Sequence, residues 1–150
     1  AIMKASFNIG KDHPVLGVGK GLKNAYVTDY LTDEDKKINE VRNWVIEQRD
    51  KGILKSGYPA LGEYVTRFAE QGIVGVLLFV VPAGILVLGL LKRAKSDTND
   101  LVYITVCIST VGLLISAVGD NIDITYGYWL LLGLGFAICK GLDEHEQQNV

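Results

Sequence analysis

Glu63 and Arg67 place a carboxylate and a guanidinium four positions apart, just ahead of Gly72–Leu91, a run without a single charge. A carboxylate can take a proton, and a guanidinium can grip an anion through two of its N–H groups. Beside an apolar run of that length, both stand where the head group of a lipid-linked molecule would lie. The plainer account is an i,i+4 ion pair on a helix surface, contributing about 0.2–0.5 kcal/mol. Arg42 and Arg49, seven positions apart, share a second helix face, where they can act together or pair with Glu40, Glu47 and Asp50. Solvated ion pairs are the simpler expectation there. His13 precedes Pro14, and a histidine in such a turn more often anchors a loop by hydrogen bonding than carries protons. Lys20 lies in Gly17-Val18-Gly19-Lys20-Gly21, which lacks the upstream Gly and the Ser or Thr of a nucleotide-binding loop.

Composition narrows the chemistry further. Fifteen Lys and Arg stand against 17 Asp and Glu, for a net charge of -2, and no basic run of the kind that tracks a phosphate backbone is present, so nucleic acid is not an expected partner. Cys107 and Cys139 both fall within apolar runs and read as small packing residues rather than a disulfide. No Cys or His cluster has metal-ligand spacing, so neither a metal nor another cofactor is expected.

The elements that must hold these residues follow from the hydropathy pattern. The uncharged run predicts a spanning helix over 73–91, since about 1.5 Å per residue covers roughly the thickness of a hydrocarbon core. Two more spans are expected over 101–119 and 124–139, the last short enough to need tilt or fraying at the interface. Pro82 falls inside the first, where a neighbouring group or a local kink must satisfy the freed carbonyl. Lys92, Arg93 and Lys95 make 92–100 a cytoplasmic loop, whereas the turn 120–123 has no basic residue and is external. Its Asp120 and Asp123 are an ordinary way to hold a short hairpin in water. Tyr126, Tyr128 and Trp129 are expected in an aromatic belt beyond that turn, and 140–150 is a cytoplasmic tail. By parity, residues 1–72 lie outside, because long segments cross largely regardless of charge. Such a segment needs an export signal, and none is recognisable at Ala1. The chain is therefore expected to be the C-terminal part of a longer polytopic protein, with the preceding helices as its partners.

The external segment reads as helical. A helix ends near Ile9, and Pro14 with Gly17, Gly19 and Gly21 breaks the chain. Thr32 is a fitting N-cap for a helix running to about Lys51, with Asp33, Glu34 and Asp35 in its first turn and Ile38, Val41, Trp44 and Val45 as its apolar stripe. Another helix is expected from Pro59 or Ala60 to Gln71, with Leu61, Tyr64, Val65 and Phe68 on one face and Glu63, Arg67 and Glu70 on the other. Gly72 and Gly75 form its junction with the first span and allow close backbone approach.

Two stretches carry a resemblance. Asp12-His13-Pro14-Val15-Leu16-Gly17-Val18-Gly19 resembles an HPxxGxG signature, and Ala69-Glu70-Gln71-Gly72-Ile73-Val74-Gly75-Val76-Leu77-Leu78-Phe79 resembles an E-x-G-[IL]-[IVL]-G-hhhF signature, both of the O-antigen ligase and polymerase superfamily. Their order, the polar loop between them and the deduced orientation fit as well, so the resemblance covers essentially the whole chain as the C-terminal third or so of such a protein. It implies an all-α bundle of the membrane-embedded C-type glycosyltransferase kind, multi-pass in a bacterial cytoplasmic membrane. Such enzymes use a polyprenyl-pyrophosphate-linked oligosaccharide without a metal. A polymerase joins repeat units on the outer face, and a ligase moves the finished glycan onto lipid A core. Ligases carry a His-Asn or His-Ser pair at the positions held here by Leu61 and Gly62, and leucine cannot take a proton. The resemblance thus favours a polymerase, with Glu63 as the nearest carboxylate to serve as base and Arg67, Arg42, Lys20 and His13 as the groups to meet the pyrophosphate. Members usually carry an Arg shortly before the position of Ala1, so the fragment alone is expected to be inactive. Membrane lipid and a chain-length regulator are the further partners implied.

Overall fold

Apolar residues recur every three or four positions in parts of the polar half of this chain, the period of a helix with one buried face, and run almost unbroken through 73–91, 101–119 and 124–139. The structure, a computed structural model, describes residues 1–53, 55–94, 100–120 and 126–148, without the side chains at 93, 94, 100, 126 and 141–148. Among the described residues every regular element is helical: α1 (Ile2–Asp12), α2 (Lys23–Tyr30), a 3-10 turn (Asp35–Lys37), α3 (Asn39–Lys51), α4 (Glu63–Ala94), α5 (Asp100–Ser116) and α6 (Tyr126–Gln148). The chain divides into two compact units, one of Ala1–Leu77 with Val118–Asn121 and one of Leu78–Ala117 with Ile122–Val150.

In the first unit, Ile2, Ala5 and Ile9 line one face of α1 and meet Val27, Leu31, Val41, Tyr58 and Ala69 in a common core, with Trp44 and Val45 packed at its edge. Polar ties fix how these helices meet. The Tyr30 hydroxyl donates to Asp12 Oδ2 at 2.6 Å, joining α2 to α1. Gln48 Nε2 donates to the Asn24 carbonyl at 2.7 Å, and the Thr28 hydroxyl donates to Gln48 Oε1 at 2.8 Å, joining α2 to α3. The hydroxyls of Thr28 and Tyr58 are also 2.8 Å apart, which brings in the segment ahead of α4.

Thr32 caps as expected, but over a shorter element. Its hydroxyl accepts from the Asp35 N–H at 3.2 Å and donates to Asp35 Oδ2 at 2.8 Å, while its own N–H donates to the same carboxylate at 3.1 Å. This reciprocal box holds the Asp35 carboxyl below its ordinary value through those hydrogen bonds. It closes only the 3-10 turn, because Ile38 is extended (φ -66, ψ 123) and α3 starts afresh at Asn39. Ile38 leaves the predicted stripe and is exposed, while Val41 stays buried.

The second unit takes one narrow stripe from each of three helices. Phe79, Ala83, Leu86 and Leu90 of α4 are buried together with Tyr103, Val106, Cys107 and Thr110 of α5 and Tyr128 and Leu132 of α6. Between these positions α4 also carries exposed apolar residues, including Val81, Ile85 and Leu88. By length and composition Glu63–Lys92 is a helix able to cross a membrane; its most apolar 18-residue window has a mean hydropathy of 2.8, and 28% of that window is buried. The other apolar helical stretches, Leu101–Ser116 and Gly127–Lys140, are shorter.

Pro82 has no N–H for the Leu78 carbonyl, and the hydroxyl of Tyr128 donates to the next carbonyl along, that of Phe79, at 2.6 Å. Tyr128 is fully buried there, with its ring 4.6 Å from that of Phe79, so it does not join the expected aromatic belt. Trp129, 45% exposed, remains available to one. Tyr128→Phe is expected to lower stability by about 1 kcal/mol, the usual net value of a buried hydrogen bond, readable as a fall in thermal midpoint. The boundaries shift in two places: α5 ends at Ser116, and α6 continues to Gln148 through most of the expected tail. The parts of the loop, turn and tail at 95–99, 121–123 (with Asp123) and 149–150 lie outside the described residues.

Candidate functional site

Gly72 interrupts α4 with φ 63 and ψ -162. A broken helix orphans carbonyls on one side and N–H groups on the other, and the loop after α1 answers both. The N–H groups of Val18 and Gly19 donate to the carbonyls of Ala69 (3.0 Å) and Glu70 (2.8 Å), while those of Ile73 and Val74 donate to the carbonyls of Pro14 (2.8 Å) and Val15 (3.4 Å). So close a crossing leaves no room for side chains. A Cβ on Gly72 would overlap the Val15 carbonyl, and one on Gly17, whose φ is 66, would overlap that of Glu70. The segments 12–19 and 69–74 therefore form one piece of structure.

One arm of that break carries Glu63 and Arg67. Glu63 opens α4 behind Gly62, whose φ of 79 turns the chain, and its N–H donates to the Asp120 carbonyl at 3.0 Å. The expected surface pair is in fact buried: Glu63 is 1% and Arg67 8% exposed. Arg67 Nε lies 2.5 Å from Glu63 Oε1, and Arg67 Nη1 donates to Gln71 Oε1 at 3.3 Å. A desolvated pair of this kind adds little net stability, yet losing one member strands the other. Chemically it is a carboxylate and a guanidinium paired with each other and screened from solvent.

The remaining residues fall into two groups. His13 is the C-cap of α1: its N–H donates to the Ile9 carbonyl at 3.1 Å and its carbonyl accepts from Gly17 at 3.0 Å, so its backbone shapes the loop. Its exposed ring stands edge-on to Tyr26, with centroids 6.1 Å apart. Lys20 is exposed on the same loop. Arg42 lies apart on α3, exposed, with Nη2 donating to Asn39 Oδ1 at 3.2 Å. The structure thus brings Glu63 and Arg67 into contact and puts His13 and Lys20 on the loop that closes Gly72, while the hydrogen bond of Arg42 is within its own helix turn. Among the described residues no group of His, Cys, Asp and Glu could hold a metal ion.

Lys23 is the residue that sequence reasoning missed. It is 2% exposed, and its Nζ has no hydrogen-bond partner among the described residues. Burial pushes its pKa below the ordinary value, and the charge of Glu70 pulls it partly back. Lys23 precedes the buried Val27 and Leu31 by one and two helical turns and so shares their inward face, but α2 has no apolar stripe to mark that face in the sequence. Because the unfolded chain holds this proton more tightly than the folded one, stability should rise as pH climbs towards the ordinary lysine value of 10.5. Lys23→Met is expected to flatten that slope and to stabilise at neutral pH by on the order of 1 kcal/mol, measured by thermal unfolding across the pH range.

No family model, curated protein sequence or solved structure matches this chain.

Proposed function

We propose that this chain is the outward-facing end of a membrane glycosyltransferase that polymerises lipid-linked oligosaccharide repeat units, with residues 73–91, 101–119 and 124–139 in the bilayer. The observation that carries the reading is the loop closure at Gly72. The two segments that resemble the superfamily's signatures are hydrogen-bonded to each other around Gly17 and Gly72, with Glu63 and Arg67 on the adjoining arm. The exposed Val81, Ile85 and Leu88 support the membrane setting, since water is a poor solvent for such a face.

On this reading the incoming pyrophosphate draws Arg67 away from Glu63, because a guanidinium binds two phosphate oxygens in its planar fork. A buried carboxylate stripped of its cation gains affinity for a proton. Glu63 then takes the proton of the acceptor sugar hydroxyl, whose oxygen forms a bond to the anomeric carbon. The bond from that carbon to the pyrophosphate breaks, and the carrier leaves with the electron pair, its charge met by Arg67 and Lys20. Leu61 and Gly62, where a ligase would hold its basic pair, favour polymerisation over transfer to lipid A core. A second reading, a non-catalytic membrane scaffold, draws on the same burial: Glu63 and Arg67 already satisfy each other and can serve packing alone.

Deleting the parent gene and running surface polysaccharide on gels separates these readings. A polymerase leaves lipopolysaccharide with a single repeat, a ligase leaves polymer on its lipid carrier, and a scaffold leaves both steps intact. Complementation with Glu63→Gln is expected to restore no polymer, and normal polymer from that variant would remove Glu63 from the mechanism.

A further inference from the structure

α1 is only partly committed to the core. Met3 and Phe7 are 40% and 49% exposed, and Lys4 and Lys11, also exposed, lie about one helical turn to either side of Phe7. Beside Phe7 a groove of about 260 Å³ is lined by Phe7, Tyr64, Val65, Phe68, Ile73 and Val76. Gly10 lets it form, because a Cβ there would overlap the Phe68 ring, which stands 5.8 Å from that of Phe7. The apolar surface continues along Ile73 and Leu77, 46% and 51% exposed. Apart from the Tyr64 hydroxyl, no lining side chain can form a hydrogen bond, so a peptide seated here would leave its amides unmet. A hydrocarbon chain has no such need. The exposed cations of α1 next to Phe7, Lys4 and Lys11, favour a negative charge on what bears that chain. Lys4 also acts on the Asp35 carboxylate, whereas Asp12, the acid next to Lys11, is engaged by Tyr30.

We propose that this groove seats one acyl chain of an anionic phospholipid, with Lys11 and Lys4 meeting its phosphate and α1 lying at the bilayer surface. The site rests on the reading of residues 73–91 as a membrane span. It gives the face of α1 away from the core a solvent other than water.

The test reconstitutes the full chain in phosphatidylcholine vesicles containing either phosphatidylglycerol or phosphatidylcholine with a photoactivatable diazirine on one acyl chain, and maps the adducts by mass spectrometry. Adducts on Phe7 and on 64–68 are expected with the phosphatidylglycerol probe and about fivefold fewer with the phosphatidylcholine probe. Lys11→Glu should lower the phosphatidylglycerol adducts at Phe7 by a similar factor while leaving those on 78–91 unchanged. Val65→Trp, which fills the groove, should suppress labelling at Phe7 with either probe. Labelling confined to 78–91, or equal labelling of Phe7 by both probes, overturns the proposed site and leaves the membrane reading standing. Absence of adducts from 73–91 as well would overturn both.

Discussion

Gly72→Val is expected to remove most of the stability of the first unit. The native φ of 63 with ψ -162 is a conformation open in practice to glycine alone, and forcing a side chain into it costs about 1–3 kcal/mol. The new Cβ would also collide with the Val15 carbonyl, a backbone group with no rotamer to change. Relief requires the loop to withdraw, which breaks the four backbone hydrogen bonds across the junction, each worth about 1 kcal/mol net. The sum, roughly 5–7 kcal/mol, is a large part of a domain's usual 5–15 kcal/mol. Hydrogen exchange should show the Val18, Gly19 and Ile73 amides losing protection before the rest of the unit. Gly21→Ala is the contrasting case. Its φ is also positive, at 79, but nothing lies within 4 Å of the added atom. It should cost only about 1–2 kcal/mol from the left-handed backbone, and an equal loss from both variants would refute the steric part of the account.

Arg67→Met should cost about 3–5 kcal/mol, because it leaves the Glu63 carboxylate buried without its cation. The double variant Glu63→Leu/Arg67→Met should recover most of that loss, since a buried position tolerates two apolar side chains better than one stranded charge. Urea unfolding of the wild type, both single variants and the double variant completes the cycle. Additive losses would mean that the two groups do not act as a pair. The same single variant bears on function, because the proposed mechanism needs Arg67 to exchange one anionic partner for another.

Much of this arrangement was legible from residue spacing, and the exceptions have physical causes. The long apolar helix, the inward face of α3 through Val41 and Trp44, and the glycine junction all follow from periodicity and from the need for close approach at Gly72. α2 left no such trace: Lys-Asn-Ala-Tyr-Val-Thr-Asp-Tyr has no apolar stripe, and the helix is held by tertiary hydrogen bonds through Asn24, Thr28 and Tyr30. The Thr32 cap was visible, but the extended Ile38 that ends the turn after Lys37 was not. Glu63 and Arg67 were found, though as surface groups. An i,i+4 spacing is the same in water and in a core, and the cover over this pair includes a distant segment, whose Asp120 carbonyl binds the Glu63 N–H. No local pattern encodes such a contact. Tyr128 fits an interfacial belt by type, and only its bond to the Phe79 carbonyl, one position along from the carbonyl that Pro82 leaves without an N–H, shows why it is drawn inward.

The splice at Gly72 also orders events in time. Residues 14–19 leave the ribosome more than fifty positions before the 69–74 segment that they bind, and until then the amides of Val18 and Gly19 and the carbonyls of Pro14 and Val15 lack their native partners. A nascent chain therefore cannot finish this unit before the start of its most water-averse helix has been made. The splice itself closes at the moment when that helix must be delivered to whatever environment will cover it, and the tie from Glu63 to Asp120 follows only later.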